Sequence, residues 1–331
     1  LPHYDDFGRA INYLRLSITD RCNLRCVYCM PPEGIEKRNH GEMLRYEEML
    51  TVVRAAADIG ISKVRITGGE PLARLGVVGF VRMVANIPGI DDLSMTTNGT
   101  LLARHATDLA AAGLDRVNIS LDSLRPARFR RITRRGRLGD VFAGLQAARD
   151  AGLVPIKLNT VVIRGINDDE VPDLALHSAT LGWHVRFIEL MPIGGNVDWT
   201  GDPIVPVPEI RARVEAALGP LEPVHGPQGN GPARYYHLAG ARASGGTIGF
   251  IGARSEHFCA RCNRLRLTAD GRLRPCLLSD YELDVREPLR AGAGPDEVRE
   301  ILLQAIRTKP AEHHLATAAS PRNRTMAEIG G

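Results

Sequence analysis

The chain has 331 residues, 42 basic against 38 acidic side chains for a formal net charge of +4, and 44% hydrophobic and 24% charged residues. That length buries a substantial core, as one large barrel or two domains. No apolar run nears the eighteen or so residues of a membrane span, the charge is too mild to argue for nucleic acid, and residues 1–7 carry neither the basic nor the apolar part of a secretory signal. A soluble, cytoplasmic protein is the expectation.

In chain order, residues 13–191 alternate short strand-like runs with helix-like runs, about thirty residues per unit, the rhythm of βαβ units and a parallel sheet. Strands are expected at 13–19, 63–67, 92–97, 115–121, 154–162 and 184–190. Helices are expected between them, such as 45–59 ended by Gly60 and 103–112 ended by Gly113, each with glycine where a C-cap wants it.

Strand side chains alternate between faces with a period of two. Leu14, Leu16 and Ile18 oppose Arg15, Ser17 and Thr19; Val64 and Ile66 oppose Lys63, Arg65 and Thr67; Ile156 and Leu158 oppose Lys157 and Asn159. One face is oily and the other polar and basic. Parallel sheets normally hide two apolar faces, and a closed eight-stranded barrel fills its interior with apolar side chains. The pattern therefore predicts a splayed, incomplete (β/α)6 TIM-type barrel with a polar lumen.

Directly after the first strand stand Cys22, Cys26 and Cys29. Six cysteines in two sets of three suit metal binding in a reducing compartment better than disulfides. A four-iron cluster needs four ligands, so three thiolates leave one iron open to a small molecule. Structural zinc prefers four protein ligands in paired blocks, and no His lies within ten residues of this triplet.

The second strand runs into Gly68-Gly69-Glu70-Pro71, where paired glycines let a ligand approach bare backbone. Near residue 192 the rhythm breaks, dividing the chain at 1–191 and 192–331, and the second part reads as a smaller α+β region rather than more barrel. A helix is expected at 209–218. That part carries Cys259, Cys262 and Cys276, a second cluster set, for which a zinc site completed by His257 stands as the alternative.

The spacing Cys22-x3-Cys26-x2-Cys29, with Tyr28 before the last Cys, resembles the signature of the radical S-adenosylmethionine (SAM) enzymes. With the Gly-Gly-Glu-Pro turn, Thr97-Asn98-Gly99, Ser120-Leu121-Asp122, Met191-Pro192, the block 259–267 and the terminal Gly330-Gly331, essentially the whole chain resembles the GTP 3′,8-cyclase family of molybdenum cofactor biosynthesis.

The resemblance implies two [4Fe-4S] clusters at the ends of a shared channel, held by Cys22, Cys26 and Cys29 and by Cys259, Cys262 and Cys276. It implies SAM contacts at Tyr28, Gly69, Ser120 and Met191, and GTP contacts at Arg15, Lys63, Arg65, Thr96, Lys157, Arg186, Arg264, Leu265 and Arg266, with Arg264 and Arg266 also catalytic. SAM would be cleaved to methionine and 5′-deoxyadenosine as GTP is cyclised. Flavodoxin or ferredoxin would supply electrons, the product would pass to the cyclic pyranopterin monophosphate synthase, and a homodimer is left open. The tail 322–331 is expected to reach back toward the site.

The residues support an anionic substrate independently. Arg15, Lys63, Arg65 and Lys157 share one strand parity, and unpartnered buried cations are very costly, so the lumen predicts an anion such as a triphosphate. Only four residues (37, 63, 157 and 309) are lysine, which suggests that a compact point charge is wanted on the strands at 63 and 157. A radical SAM enzyme that modifies peptides, with auxiliary clusters, is the alternative; such domains usually carry more cysteines and need no cationic lumen. The Arg-rich stretch 125–137 reads as a solvated crossover face, not a nucleic-acid element.

Overall fold

A computed structural model describes residues 2–36, 38–191, 193, 202–227, 231–240, 245–313 and 323–330. Its strands are β1 (His3–Tyr4), β2 (Ala10–Ile11), β3 (Tyr13–Ser17), β4 (Lys63–Thr67), β5 (Asp92–Thr97), β6 (Arg116–Ser120), β7 (Lys157–Val162), β8 (His184–Glu189), β9 (Leu221–Val224), β10 (Arg234–Leu238), β11 (Thr247–Ile251), β12 (Arg264–Leu267), β13 (Arg272–Arg274) and β14 (Leu283–Asp284). A two-stranded ribbon, β1–β2, precedes a 12-stranded sheet in the order β14-β13-β12-β3-β4-β5-β6-β7-β8-β11-β10-β9.

The six expected strands are β3 to β8, side by side and parallel in chain order. β7 starts at Lys157 rather than 154, because Pro155 has no N–H to give a ladder. The C-terminal region does not form a layer apart from this sheet. β11 adds parallel to β8 and β12 parallel to β3, so it extends both edges, and antiparallel strands finish each end.

The face alternation is as expected. Leu14, Leu16, Val64, Ile66, Leu93, Met95, Val117, Ile119, Leu158, Val185 and Phe187 are buried in one core with the helices. The first crossover helix, Tyr46–Asp58, buries Met49, Val52, Val53 and Ala56, and packs on helix Pro295–Arg307, which buries Val298, Leu302 and Ile306. A C-terminal segment thus packs on the first crossover helix and against β13 in the sheet. The expected helix at 209–218 is observed as Val207–Leu218, beginning two residues early on a proline-capped start. No helix is long and apolar enough to cross a membrane among the described residues.

Candidate active site

The first cysteine set follows the C-terminal end of β3 and is braced from two sides. Glu70 is fully buried and accepts from Leu72 N (3.1 Å), Thr97 Oγ1 (2.7 Å) and Asn98 N (2.7 Å). Burial raises its carboxyl to about 7 against those three bonds. Asn98 then donates Nδ2 to Asn23 Oδ1 at 2.8 Å, which fixes the loop between Cys22 and Cys26. On the other side Arg134, at φ +61°, donates Nη1 to the carbonyls of Arg25 (3.0 Å) and Met30 (2.9 Å).

The paired glycines have a different cause from the one the sequence suggested. A Cβ on Gly69 would lie 2.4 Å from the Arg21 carbonyl oxygen, and one on Gly68 2.7 Å from that of Thr19. Gly69 N donates to Thr19 O at 2.6 Å and Glu70 N to Arg21 O at 2.8 Å. What approaches the bare backbone is the start of the cysteine loop itself, though both glycines still line the cavity.

Tyr28 donates its hydroxyl to Asp122 Oδ2 at 2.7 Å, and Asp122 Oδ1 accepts Val161 N at 2.9 Å. Burial raises Asp122 to about 6. Burial likewise pushes Cys22 up to about 11, with Glu70 adding to it, and Cys29 up to about 12, with Cys22 and Asp122 adding to it. Cys26 is raised well above its ordinary value too, by burial and then by Cys29 and Asp122. Thiols that resist ionisation together require a cationic group among them to become thiolates.

The second set is assembled by a hairpin. β12 and β13 pair antiparallel with Arg266 opposite Arg274, so Cys262, just before β12, and Cys276, just after β13, meet at the same end. Cys259 joins them from the short turn Cys259–Arg261. Arg9, paired with Asp5 at 2.6 Å, donates Nη1 to the Cys259 carbonyl at 2.9 Å. Burial works against Cys262, but the positive charges of Lys309 and then Arg264 bring it down to about 7. Burial raises Cys259.

Because β12 runs parallel to β3, with Arg264 opposite Tyr13, the segment leading into β12 lies at the opposite end of the strands from the segment leaving β3. One cavity spans that length, roughly 15 Å for five residues of strand, and is lined by all six cysteines. Arg15, Arg65, Thr96, Arg186, Arg264 and Arg266 also line it, with Tyr28, Gly69, Ser120 and Met191. Arg266, Arg15 and Arg65 sit in register across three adjacent strands.

Arg65 donates Nε to Ser94 Oγ (3.1 Å) and Arg186 donates Nη2 to Asn118 Oδ1 (2.7 Å). Nε of Arg186 and Arg264, Nη1 of Arg266 and Thr96 Oγ1 are buried with no hydrogen-bond partner among the described residues.

Three expected contacts fall outside the lining of this cavity. Lys63 is only partly buried at the start of β4. The Leu265 side chain packs in the core on the helix-facing side. Lys157 is buried, and its pKa falls to about 6 through burial and then the charges of Arg186, Arg116 and Arg65.

The tail does return to the site. Met326 and Ala327 line the cavity, and a Cβ on Gly330 (φ +82°) would lie 2.5 Å from Thr67 Oγ1 and 2.7 Å from Ser17 Cβ. Arg324 anchors it with Nη2 on Asp270 Oδ2 at 2.9 Å. Gly331 and Pro192 lie outside the described residues. The Arg-rich stretch is spent on structure: Arg125 and Arg128 pair with Asp169 at 3.0 and 2.5 Å.

The donor sets fit iron–sulfur clusters better than single ions. Zinc holds thiolates at about 2.3 Å, hence sulfurs about 3.8 Å apart. Among the described residues, the one group of three possible ligands that all lie within 4.8 Å is His257, Cys259 and His313, and neither cysteine set meets that spacing. His257 gathers with Cys259 and His313, so the histidine meets one cysteine of the second set and not all three.

Sequence reasoning gave no role to Asn98, Asp122, Arg134, Arg9 or Lys309. Each acts through contacts across the chain, and only the rarity of lysine signalled the last.

Residues 16–177 match the model of the Radical SAM superfamily, the class that the fold and the first cysteine set define. Residues 183–315 match the family described as Molybdenum Cofactor Synthesis C. The chain is 54% identical over 327 residues to GTP 3′,8-cyclase of Pelotomaculum thermopropionicum and 53% over 331 residues to that of Heliobacterium modesticaldum, covering 99% of each chain in both cases. It belongs to the GTP 3′,8-cyclase family of radical SAM enzymes. In fold it is similar to Streptococcus suis SuiB bound to S-adenosylmethionine, with a TM-score of 0.63 at 14% identity over 83% of this chain and 63% of that one.

Proposed function

We propose that this chain converts GTP to (8S)-3′,8-cyclo-7,8-dihydroguanosine 5′-triphosphate with cleavage of SAM, the first step of molybdenum cofactor biosynthesis, in the cavity between its two cysteine sets. The observation that carries the reading is the row Arg266–Arg15–Arg65 across β12, β3 and β4, with unpaired N–H donors around it, in a cavity that has a cysteine tripod at each end.

Cys22, Cys26 and Cys29 would hold one [4Fe-4S] cluster and Cys259, Cys262 and Cys276 a second, each tripod leaving one iron for a ligand. When bound, the first cluster and SAM supply one-electron reductive cleavage to a carbon radical that removes hydrogen from the ribose C3′ of GTP. Tyr28, clamped by Asp122, forms with Gly69, Ser120 and Met191 the wall against which SAM lies.

Arg15, Arg65, Arg186, Arg264 and Arg266 take the triphosphate, and its oxygens fill the open donors of Arg186, Arg264 and Arg266. Lys157 stands close enough to Arg186 to feel its charge, an amine whose protonation an incoming triphosphate would favour, and Thr96 offers a hydroxyl. Holding the triphosphate at one end fixes where C3′ lies, the positioning problem this reaction poses. Arg264 and Arg266, nearest the second set in sequence, are the catalytic candidates.

In this reading residues 1–191 form a partial barrel for the radical chemistry and residues 192–331 a region for the substrate end. The protein works in the cytoplasm, with flavodoxin or ferredoxin as electron donor and the cyclic pyranopterin monophosphate synthase as recipient of the product. The test is anaerobic reconstitution with iron and sulfide, then SAM, reductant and GTP. Formation of 5′-deoxyadenosine with a cyclised guanosine triphosphate supports the reading; tetrahedral zinc in place of iron sinks it.

A further inference from the structure

Lys309 is 3% exposed and lies beside the second cysteine set. Nζ donates to the Arg264 carbonyl at 3.0 Å and to the Pro275 carbonyl at 2.6 Å, and its positive charge bears on Cys262. Those acceptors belong to the two hairpin ends that carry Cys262 and Cys276. The next residues are clamped as well: Arg9 donates Nη2 to Pro310 O at 2.7 Å and Nη1 to Ala311 O at 2.9 Å, with the same Nη1 reaching Cys259 O. The strap 309–311 is thus tied directly to the hairpin ends beside Cys262 and Cys276, and through Arg9 to Cys259.

The residue type is informative too. The chain uses lysine at four positions among its 42 basic residues. Two carbonyls converging on one point suit a compact tetrahedral head, whereas a guanidinium spreads its donors over a planar fork.

We propose that Lys309 is a positioning and tuning residue for the second cysteine set: it pins the ends of β12 and β13 that bear Cys262 and Cys276, and its charge raises the reduction potential of the cluster they hold. This rests on the reading of a second [4Fe-4S] cluster at Cys259, Cys262 and Cys276. Reduction adds one negative charge to a cluster, and hydrogen bonds to its sulfurs and nearby positive charge favour that state.

The test uses the reconstituted full chain, reductively titrated under argon and followed by electron paramagnetic resonance, with iron counted per chain. Wild type should hold about eight irons; four irons would overturn the second-cluster reading, and this assignment with it. Lys309→Gln keeps two donors for the carbonyls and removes the charge. Its second-cluster midpoint should drop by about 59 mV or more, tenfold in the oxidised-to-reduced ratio for one electron, while the first-cluster midpoint stays.

Lys309→Arg should keep the midpoint nearer to wild type than Lys309→Gln does. An unmoved midpoint in Lys309→Gln with full iron overturns the proposal. If both variants lose the second cluster's iron, Lys309 is a structural strap alone and the tuning role is overturned.

Discussion

Arg266 on β12 stands directly opposite Arg15 on β3, two guanidinium-bearing positions on neighbouring parallel strands facing the same cavity. Burial lowers Arg266 to about 10, with Arg264 adding to the effect, and lowers Arg15 well below its ordinary value, with Arg266 adding to it. Like charges directly opposite destabilise a sheet, so this pair works against the fold that holds it, a repulsion that an anion between the two would relieve.

Replacing Arg266 with Met should therefore separate binding from folding. GTP affinity should fall about 30-fold or more, matching the ~2 kcal/mol lower end for removing one member of a buried charge pair. The melting temperature of the GTP-free protein should hold or rise. Calorimetric binding and thermal denaturation decide it, and a marked loss of stability would show that Arg266 serves the fold.

Lys157 offers a second test, through protons. With its pKa lowered to about 6, it is mostly neutral at pH 8 in the substrate-free protein. An anionic triphosphate raises that pKa, so binding at pH 8 should take up a proton and affinity should weaken as pH rises through the bound value. Titration calorimetry in buffers of different ionisation enthalpy reads this directly. Lys157→Arg should abolish the uptake, and wild-type binding without proton exchange would remove Lys157 from the substrate's field.

Gly330 packs on Ser17 and Thr67 in a left-handed conformation with no room for a Cβ. Gly330→Val should lift helix Met326–Ile329 away from the cavity. Cyclisation should drop roughly 100-fold, the scale of a 1 Å misplacement, while iron content stays at the wild-type level. Equal product yield from the variant would reject any role for the tail in positioning.

Arg134 carries the one positive φ among the described non-glycine residues and ties the Arg25 and Met30 carbonyls that bracket Cys26 and Cys29. Arg134→Gly relieves the backbone by about 1 kcal/mol but removes both bonds. The expected outcome is a chain that folds yet releases iron from the first set faster under chelator, with the second set unaffected. Chelation kinetics resolved by spectroscopy would reveal the difference.

Much of this was legible in the chain alone. The period-two alternation in 13–19, 63–67 and 154–162 separated the oily side chains of the core from the polar set that supplies Arg15, Arg65 and Asn159 to the cavity, because side-chain direction along a strand follows from backbone geometry and needs no partner; how far along the strand the cavity reaches, which leaves out Lys63 and Lys157, is not written in that period. The spacing of Cys22, Cys26 and Cys29 identified the radical SAM class for a similar reason, since ligands so close in sequence meet within one loop.

What the tertiary structure alone decided is non-local. That β12 lies beside β3 is a pairing across some 250 residues, and it puts the two cysteine sets at opposite ends of one cavity. Leu265, expected at GTP beside Arg264 and Arg266, turned to the helices because neighbours on a strand point to opposite faces. Gly68 and Gly69 proved to yield to the backbone of Thr19 and Arg21, and Lys309 to hold Arg264 and Pro275. Local geometry is written in the residues that make it, whereas contacts between distant segments depend on how the whole chain packs.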